Sequence, residues 1–446
     1  MKTEYSLKGC CIEVSIYYSY SPVFELCYSF GRGSMRSTKN CISDITVAKH
    51  GIHDIITELV RKFNLDKFLF PEKYTLVFVA ACMGIILFNN PTATYIAQKL
   101  YWVSHDAITR LLPLLSINNT NIMILFIQAI QSQTAGLGYL IIDDVIIRKP
   151  FGKSIFPTSY VYDHTNNRYV WGMHIVVLLW SNGWIKIPVA FRIWKPEEKC
   201  EEYHTKVELA IRMISFAHKF GLAAEYVTFD TWYSCKELLQ KLSECGYHYV
   251  CMIKNNRKVL YNNRVNFNVK TISLLFSKKQ YRYYPGTGFY IKALSVILPG
   301  VGNTMMAIVK NGYNASIQNT RFIITDLPGV AAQDILKKYL CRWDIEVFFR
   351  DIKQFLNFEK VQVRSIRKLE GHFSLVFITS VFVQILQIQN NLNTMGETIS
   401  FLQDIVQVKV NGIVYIINVT SKDRTGKEVN TVSNPLATTI WDKLSA

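Results

Sequence analysis

From Gly138 onward the hydrophobic period of the chain changes, and that change limits the folds open to it. "GYLIIDDVIIRK" is a short apolar run rich in β-branched residues. "RYVWGMHIVVLLW" and "GWIKIPVAFRIW" follow as further strands joined through Ser181-Asn182-Gly183. A helix is expected from about Tyr203 to Phe220, then a strand "AEYVTFD", a helix around "CKELLQKLSECG" and a strand "YHYVCMIK". Three antiparallel-looking strands followed by alternating helix and strand indicate an α/β protein built on a mixed sheet.

The flanking segments differ. Residues 1–50 carry few signals and are left unassigned, whereas 51–135 have apolar residues at helical spacing, broken at Asn89-Asn90-Pro91 and Pro113. The mixed sheet occupies 136–254. In 255–319 the helical pattern lapses into β-rich stretches such as "YRYYPGTGFYIKALSVIL", and 320–390 returns to a strand, "RFIITDL", and helices. The C-terminal segment, 391–446, begins helical and then suggests a hairpin around Asn411-Gly412. A chain of 446 residues is long for one core and suggests two or three domains.

Composition narrows the partners. The net charge is +17, from 50 Lys plus Arg against 33 Asp plus Glu, which favours a polyanion through counterion release. The ten cysteines show no CxxC pair, a distribution suited to reduced thiols in the cytoplasm. Two apolar runs, Tyr74 to Phe88 and Phe373 to Ile388, fall short of the roughly 18 residues of a membrane span and read as buried helices.

Chemistry concentrates in three places. The stretch "YLCRWDIEVFFRDIKQ" reads as one amphipathic helix. Tyr339, Arg342, Glu346 and Lys353 then lie within about 60° of arc, apart from an apolar face of Ile345, Phe348, Phe349, Ile352 and Leu356. Asp143 and Asp144 close the run "LIID", and Asp230 closes "YVTF". Carboxylates at strand ends converge on one sheet edge, where their repulsion needs cations to offset it. A pair of divalent ions held by hard oxygen ligands meets that need and supports phosphoryl transfer. Either Asp143 or Asp144 can be the first ligand, since consecutive strand residues face opposite sides.

Tyr339, Arg342, Glu346 and Lys353 at these spacings resemble the Y-(2)-R-(3)-E-(6)-K signature of DDE transposases of the insertion sequence 4 family. "IIDDVIIRK" resembles the family's first-Asp strand, and "VTFDTWYSCKELL" its second-Asp segment; the likeness covers roughly residues 90 to 390. It implies an RNase H-like catalytic core, 136–254 with 320–390, and a β-rich insertion at 255–319. Two Mg²⁺ ions, for which Mn²⁺ can substitute, would be held by Asp144, Asp230 and Glu346. Asp144 is chosen because the family's first Asp tends to be the second of an acidic pair, usually before Thr, where this chain has Val145. Tyr339, Arg342 and Lys353 would hold phosphates, and Trp343 would stack near a distorted DNA end. The implied reaction is cut-and-paste transposition by a homodimer on double-stranded DNA, both terminal inverted repeats and target, in the bacterial cytoplasm and nucleoid, with no membrane. Another RNase H-like nuclease and an inactive transposase-derived DNA-binding protein would carry the same signals.

Two further segments bear on DNA. "TATYIAQKLYWVSHDAITRLL" resembles a helix-turn-helix in which Ser104 caps a second helix carrying His105, Thr109 and Arg110, although two packed helices without DNA contact would look the same. In the insertion, Lys278, Lys279, Arg282 and Lys292 interleave with Tyr281, Tyr283, Tyr284, Phe289 and Tyr290. That pattern suits stacking on opened DNA ends and equally a strand with its aromatics in a core. His174 and His372 show no metal-ligand spacing and are expected as core or surface residues.

Overall fold

The computed structural model describes residues 50–410 and 413–418, apart from 133, 135, 164, 165 and 263, together with short strands at 5–7, 10–12 and 46–48. Two compact units emerge, one of residues 116–350 and 363–370, the other of residues 1–115, 351–362 and 371–446.

The first unit is built on a 12-stranded sheet. Its strands are β1 (Tyr139–Arg148), β2 (Ser159–Asp163), β3 (Arg168–Ser181), β4 (Lys186–Ile193), β5 (Val227–Phe229) and β6 (Tyr249–Ile253), then β7 (Lys258–Tyr261), β8 (Arg264–Asn268), β9 (Arg282–Tyr284), β10 (Phe289–Leu298), β11 (Gly302–Lys310) and β12 (Thr320–Thr325). The order is β8-β7-β10-β11-β12-β6-β5-β1-β3-β2, with β4 on β3 and β9 on β10.

The nucleus is β1 with its neighbours. β1 pairs antiparallel with β3, and β3 with β4, while β5 runs parallel to β1 and β6 parallel to β5. Leu140, Ile141 and Ile142 on β1 and Ile175 to Trp180 on β3 are buried on both faces, which explains their unbroken apolar runs. An antiparallel meander followed by parallel strands on its first member is the RNase H-like arrangement. Gly138 opens β1 at φ +67°, where a Cβ would lie 2.6 Å from the Ser181 carbonyl oxygen, so only glycine fits the entry.

The crossover between β4 and β5 carries helix α1 (Lys206–Lys219), and that between β5 and β6 carries α2 (Lys236–Glu244). α1 starts at a capping box of Thr205 and Glu208 and buries Leu209, Ala210, Met213, Ile214 and Ala217, the repeat of a one-sided helix. Strands β10, β11 and β12 extend the same sheet beyond β6, to which β12 pairs antiparallel. Helix α3 (Ala332–Leu340) lays Ile335 and Leu336 onto this extension, against Val250, Ile291, Ala307 and Ile323.

Helix α4 (Trp343–Phe355) follows α3 after a break, so the single helix expected from Tyr339 is two. The backbone tightens there: the N–H of Arg342 bonds the Tyr339 carbonyl at 3.0 Å and that of Asp344 the Cys341 carbonyl at 3.1 Å, three residues back instead of four. The expected apolar stripe holds: Ile345, Phe348, Phe349, Ile352 and Leu356 are all buried.

In the second unit, helices His50–Lys62 and Thr75–Leu87 pack with Met395–Asp404. Asn357, in the left-handed region at φ 56°, donates from its amide to the Phe88 carbonyl at 3.0 Å and so closes the end of Thr75–Leu87. Strands Ile405–Val410 and Ile413–Asn418 pair antiparallel as the expected hairpin, whose turn residues Asn411 and Gly412 lie outside the described residues. The run from Phe373, read as too short for a span, belongs to the 24-residue helix Ile366–Gln389, long and apolar enough to cross a bilayer; 78% of its apolar window is buried inside the protein.

Candidate active site

The geometry of the site starts from the β1–β5 register. Leu140, Ile141 and Ile142 lie beside Val227, Thr228 and Phe229, and one step further along brings Asp143 beside Asp230. Parallel partners project the same way, so these two carboxylates share a face and Asp144 takes the other. The odd-numbered face meets the segment that opens α4. Tyr139 donates its hydroxyl to Asp344 at 2.6 Å, Ser181 donates to the same carboxylate oxygen at 2.6 Å, and Arg342 Nη1 reaches Asp143 at 3.0 Å. Asp344 thereby ties the start of α4 to both β1 and β3.

Arg342 is the hinge of this face. One nitrogen of its guanidinium bonds Asp143 and another bonds Glu346, one helical turn along α4. Burial drives Asp143 upward and the neighbouring Asp144 adds to it. Arg342 only partly offsets both, and the carboxyl stands at about 7. Asp230 is also raised, chiefly by burial, although its Oδ1 accepts the Trp232 N–H at 2.9 Å and it feels the Arg342 charge. Burial raises the phenol of Tyr339 too, against the pull of Arg342.

On the even-numbered face Asp144 is enclosed. Lys206 Nζ, at the start of α1, lies 2.7 Å from its Oδ2, His174 Nδ1 on β3 lies 2.7 Å from the same oxygen, and Tyr233 donates to Oδ1 at 3.0 Å. Burial pushes Asp144 up, but His174 and Lys206 more than offset it and leave the carboxyl at about 2. His174, expected as a core or surface residue, instead pairs with Asp144; Lys206 and Tyr233 carry no signal of their own beyond the place of Tyr233 in the "FDTWY" stretch around Asp230.

The trio expected from the sequence, Asp144, Asp230 and Glu346, is therefore not gathered on one side. Among the described residues no three His, Cys, Asp or Glu side chains are already arranged as a metal-holding group. Asp143 neighbours Asp230 by register, and Asp143 and Glu346 share the Arg342 guanidinium. All three acids offer hard oxygen, the donor type that a divalent ion such as magnesium takes.

Of the other expected residues, Tyr339 on α3 bonds Arg342 and so stands at the site, Trp343 at the start of α4 is 61% exposed, and Lys353 pairs with Glu359 at 2.8 Å in the other unit. Also in that unit, helices Ala93–Lys99 and His105–Leu111 are capped by Thr92 and Ser104, each hydroxyl accepting a backbone N–H at 3.1 Å. Arg110 is exposed on the second helix, as are Tyr101 and Trp102 in the turn between them. In the insertion the aromatics divide. Tyr281 is buried, whereas Tyr283, Tyr290 and Tyr313 cluster outward with Lys278 Nζ 5.7 Å above the Tyr313 ring.

Residues 96–270 match the family described as DDE superfamily endonuclease. That match takes in β1 to β8 and the strand-end acids Asp143, Asp144 and Asp230. Among solved structures, the Drosophila P element transposase strand transfer complex aligns at 12% identity with a TM-score of 0.24, covering 50% of this chain and 55% of that one. The chain thus spans about half the length of that transposase. The NurA nuclease from Sulfolobus solfataricus aligns at 9% identity with a TM-score of 0.24, covering 54% of this chain and 79% of that one. No curated protein matches this chain.

Proposed function

We propose that this protein is a metal-dependent DNA transposase of the insertion sequence 4 type. It would cleave strands at transposon ends and join the freed 3′-hydroxyl to target DNA, acting as a homodimer on double-stranded DNA in the bacterial cytoplasm. The observation that carries this reading is the register that sets Asp143 beside Asp230 with Arg342 and Glu346 on the same face. The match to DDE superfamily endonucleases over 96–270 and the net charge of +17 support it.

Asp143, Asp230 and Glu346 would hold Mg²⁺, with Mn²⁺ able to replace it; Asp143 takes the place first expected of Asp144. A pair of such ions supplies activation of the attacking oxygen and stabilisation of the leaving oxygen in phosphoryl transfer. The protein's own part is positioning and charge. Arg342 neutralises Asp143 and Glu346 in the absence of DNA. It turns to a DNA phosphate when a strand enters, since its fork matches either partner. Tyr339 and Lys353 contact the backbone near the scissile step, and Trp343 offers its exposed indole to a distorted end. Arg110 and the capped helix pair would contact the duplex.

The test is a cleavage and joining assay with purified protein, Mg²⁺ and DNA bearing the element's terminal repeats. Cleavage followed by strand transfer is expected, with Asp230→Ala and Glu346→Ala each abolishing both. Full cleavage by either variant would sink the reading. Cutting without joining of pre-cleaved ends would instead mark another RNase H-like nuclease, and DNA binding with neither step a non-catalytic DNA-binding protein.

A further inference from the structure

Immediately after Asp230 the chain lines a cleft of about 580 Å³ with Thr231 and Trp232, and the segment after β6 adds Lys254, Arg257 and Lys258. It opens where β5 and β6 end, at the carboxyl edge of the parallel strands, the usual ligand position in such sheets. Its size falls in the roughly 300–1,000 Å³ range of small-ligand sites. Three cations converge there within five residues of chain. No carboxylate lines the cleft, and among the described residues none of the three is in an ion pair. The Glu237 carboxylate on α2 attracts Arg257 without forming an ion pair with it, and is held by its own backbone N–H and by Cys235. Trp232 is 58% exposed, with Lys206 Nζ 5.7 Å from its ring.

Three cations without an ion-pair partner beside an exposed indole call for a ligand with both an anion and a flat ring. We propose that this cleft binds a nucleoside phosphate, with the phosphate on Lys254, Arg257 and Lys258 and the base against Trp232. Resting on the transposase reading, the nucleotide is the one next to the scissile phosphate of a DNA strand laid past Asp230. A free nucleotide has the same chemistry and is the alternative source.

Binding of a fluorescent 12-nucleotide single strand, measured by anisotropy without divalent metal, tests the assignment, with dAMP and inorganic phosphate as competitors. Trp232→Ala should weaken binding roughly ten-fold and Trp232→Phe should restore most of it. Lys254→Glu with Arg257→Glu should weaken it further and flatten the salt dependence by about 1.4 in log–log slope, about 0.7 for each lost phosphate contact. Lys219→Glu, an exposed cation at the far end of α1, controls for net charge and should change little. Competition by dAMP below millimolar concentration assigns the cleft to free nucleotides; competition by the strand alone assigns it to DNA. Wild-type affinity and salt slope in Trp232→Ala and in the double variant would overturn the proposal. Because no metal or cleavage enters the readout, a protein that fails to cut DNA but shows these losses would refute the transposase reading and keep the cleft.

Discussion

Asp143 and Asp144 are neighbours on one strand, and the two faces of that strand treat them oppositely. Asp144 receives a lysine, a histidine and a phenol, and its carboxyl is held at about 2 against the cost of burial. Asp143 has one guanidinium, shared with Glu346, and stands at about 7 beside a second strand-end acid. A carboxylate with more partners than it needs acts as a structural joint, fastening β1, β3, α1 and the segment after Asp230. A carboxylate with fewer partners than charges, grouped with others in the same state, is poised for a cation. On the proposed function, the side with the deficit is the side for chemistry.

The largest expected effect breaks the comparison directly. Asp143→Asn should lower DNA cleavage by roughly a thousand-fold or more, as loss of a metal ligand does, whereas Asp144→Asn should cost about ten-fold through a loosened Asp230 segment. Single-turnover cleavage rates at saturating Mg²⁺ distinguish them. The reverse order of severity would return the first ligand to Asp144.

Stability gives a second contrast. Lys206→Met removes one partner of a buried pair, with side chains 15% and 16% exposed, and should cost about 3 kcal/mol in urea unfolding. Arg342→Met at pH 6 should cost less, about 1–2 kcal/mol, because Asp143 can take up a proton in place of its lost partner. Equal losses would mean that both faces are structural joints.

Much of this was legible in the sequence, and the misses have physical causes. β1, β3, β4 and α1 were readable because burial on both faces leaves continuous apolar runs and because Thr205 and Glu208 form a local cap. Glu346 and Arg342 were readable as an i, i+4 pair. The side of β1 facing α4 was not, since alternation marks two faces without saying which helix covers each. His174 and Lys206 meet Asp144 across 30 and 62 positions of chain, beyond any local pattern. The break between α3 and α4 carries no Gly or Pro, so Tyr339 looked continuous with Glu346. β2 was missed because its outward residues, Tyr160 and Tyr162, are exposed aromatics on a short edge strand.

The smallest effect sharpens the contrast through pH. The folded-state pKa of Asp144 is depressed, so its contribution is present above the ordinary carboxylate range near 4 and disappears as pH falls through about 2. That of Asp143 is raised, so its contribution is present below about 4 and disappears as pH rises through about 7. Unfolding free energies in metal-free buffer should therefore respond on opposite limbs. Asp144→Asn should lose pH dependence, about 2 kcal/mol, on the acid side and, by relieving Asp143 of a neighbouring charge, move the upper limb to lower pH without removing it. Asp143→Asn should flatten the limb between pH 4 and 7 and leave the acid side as it was. Other carboxylates titrate alike in both variants, so the difference between the two curves isolates these neighbours. A difference confined to one limb would show that the two faces of the strand do not hold their carboxylates in opposite states.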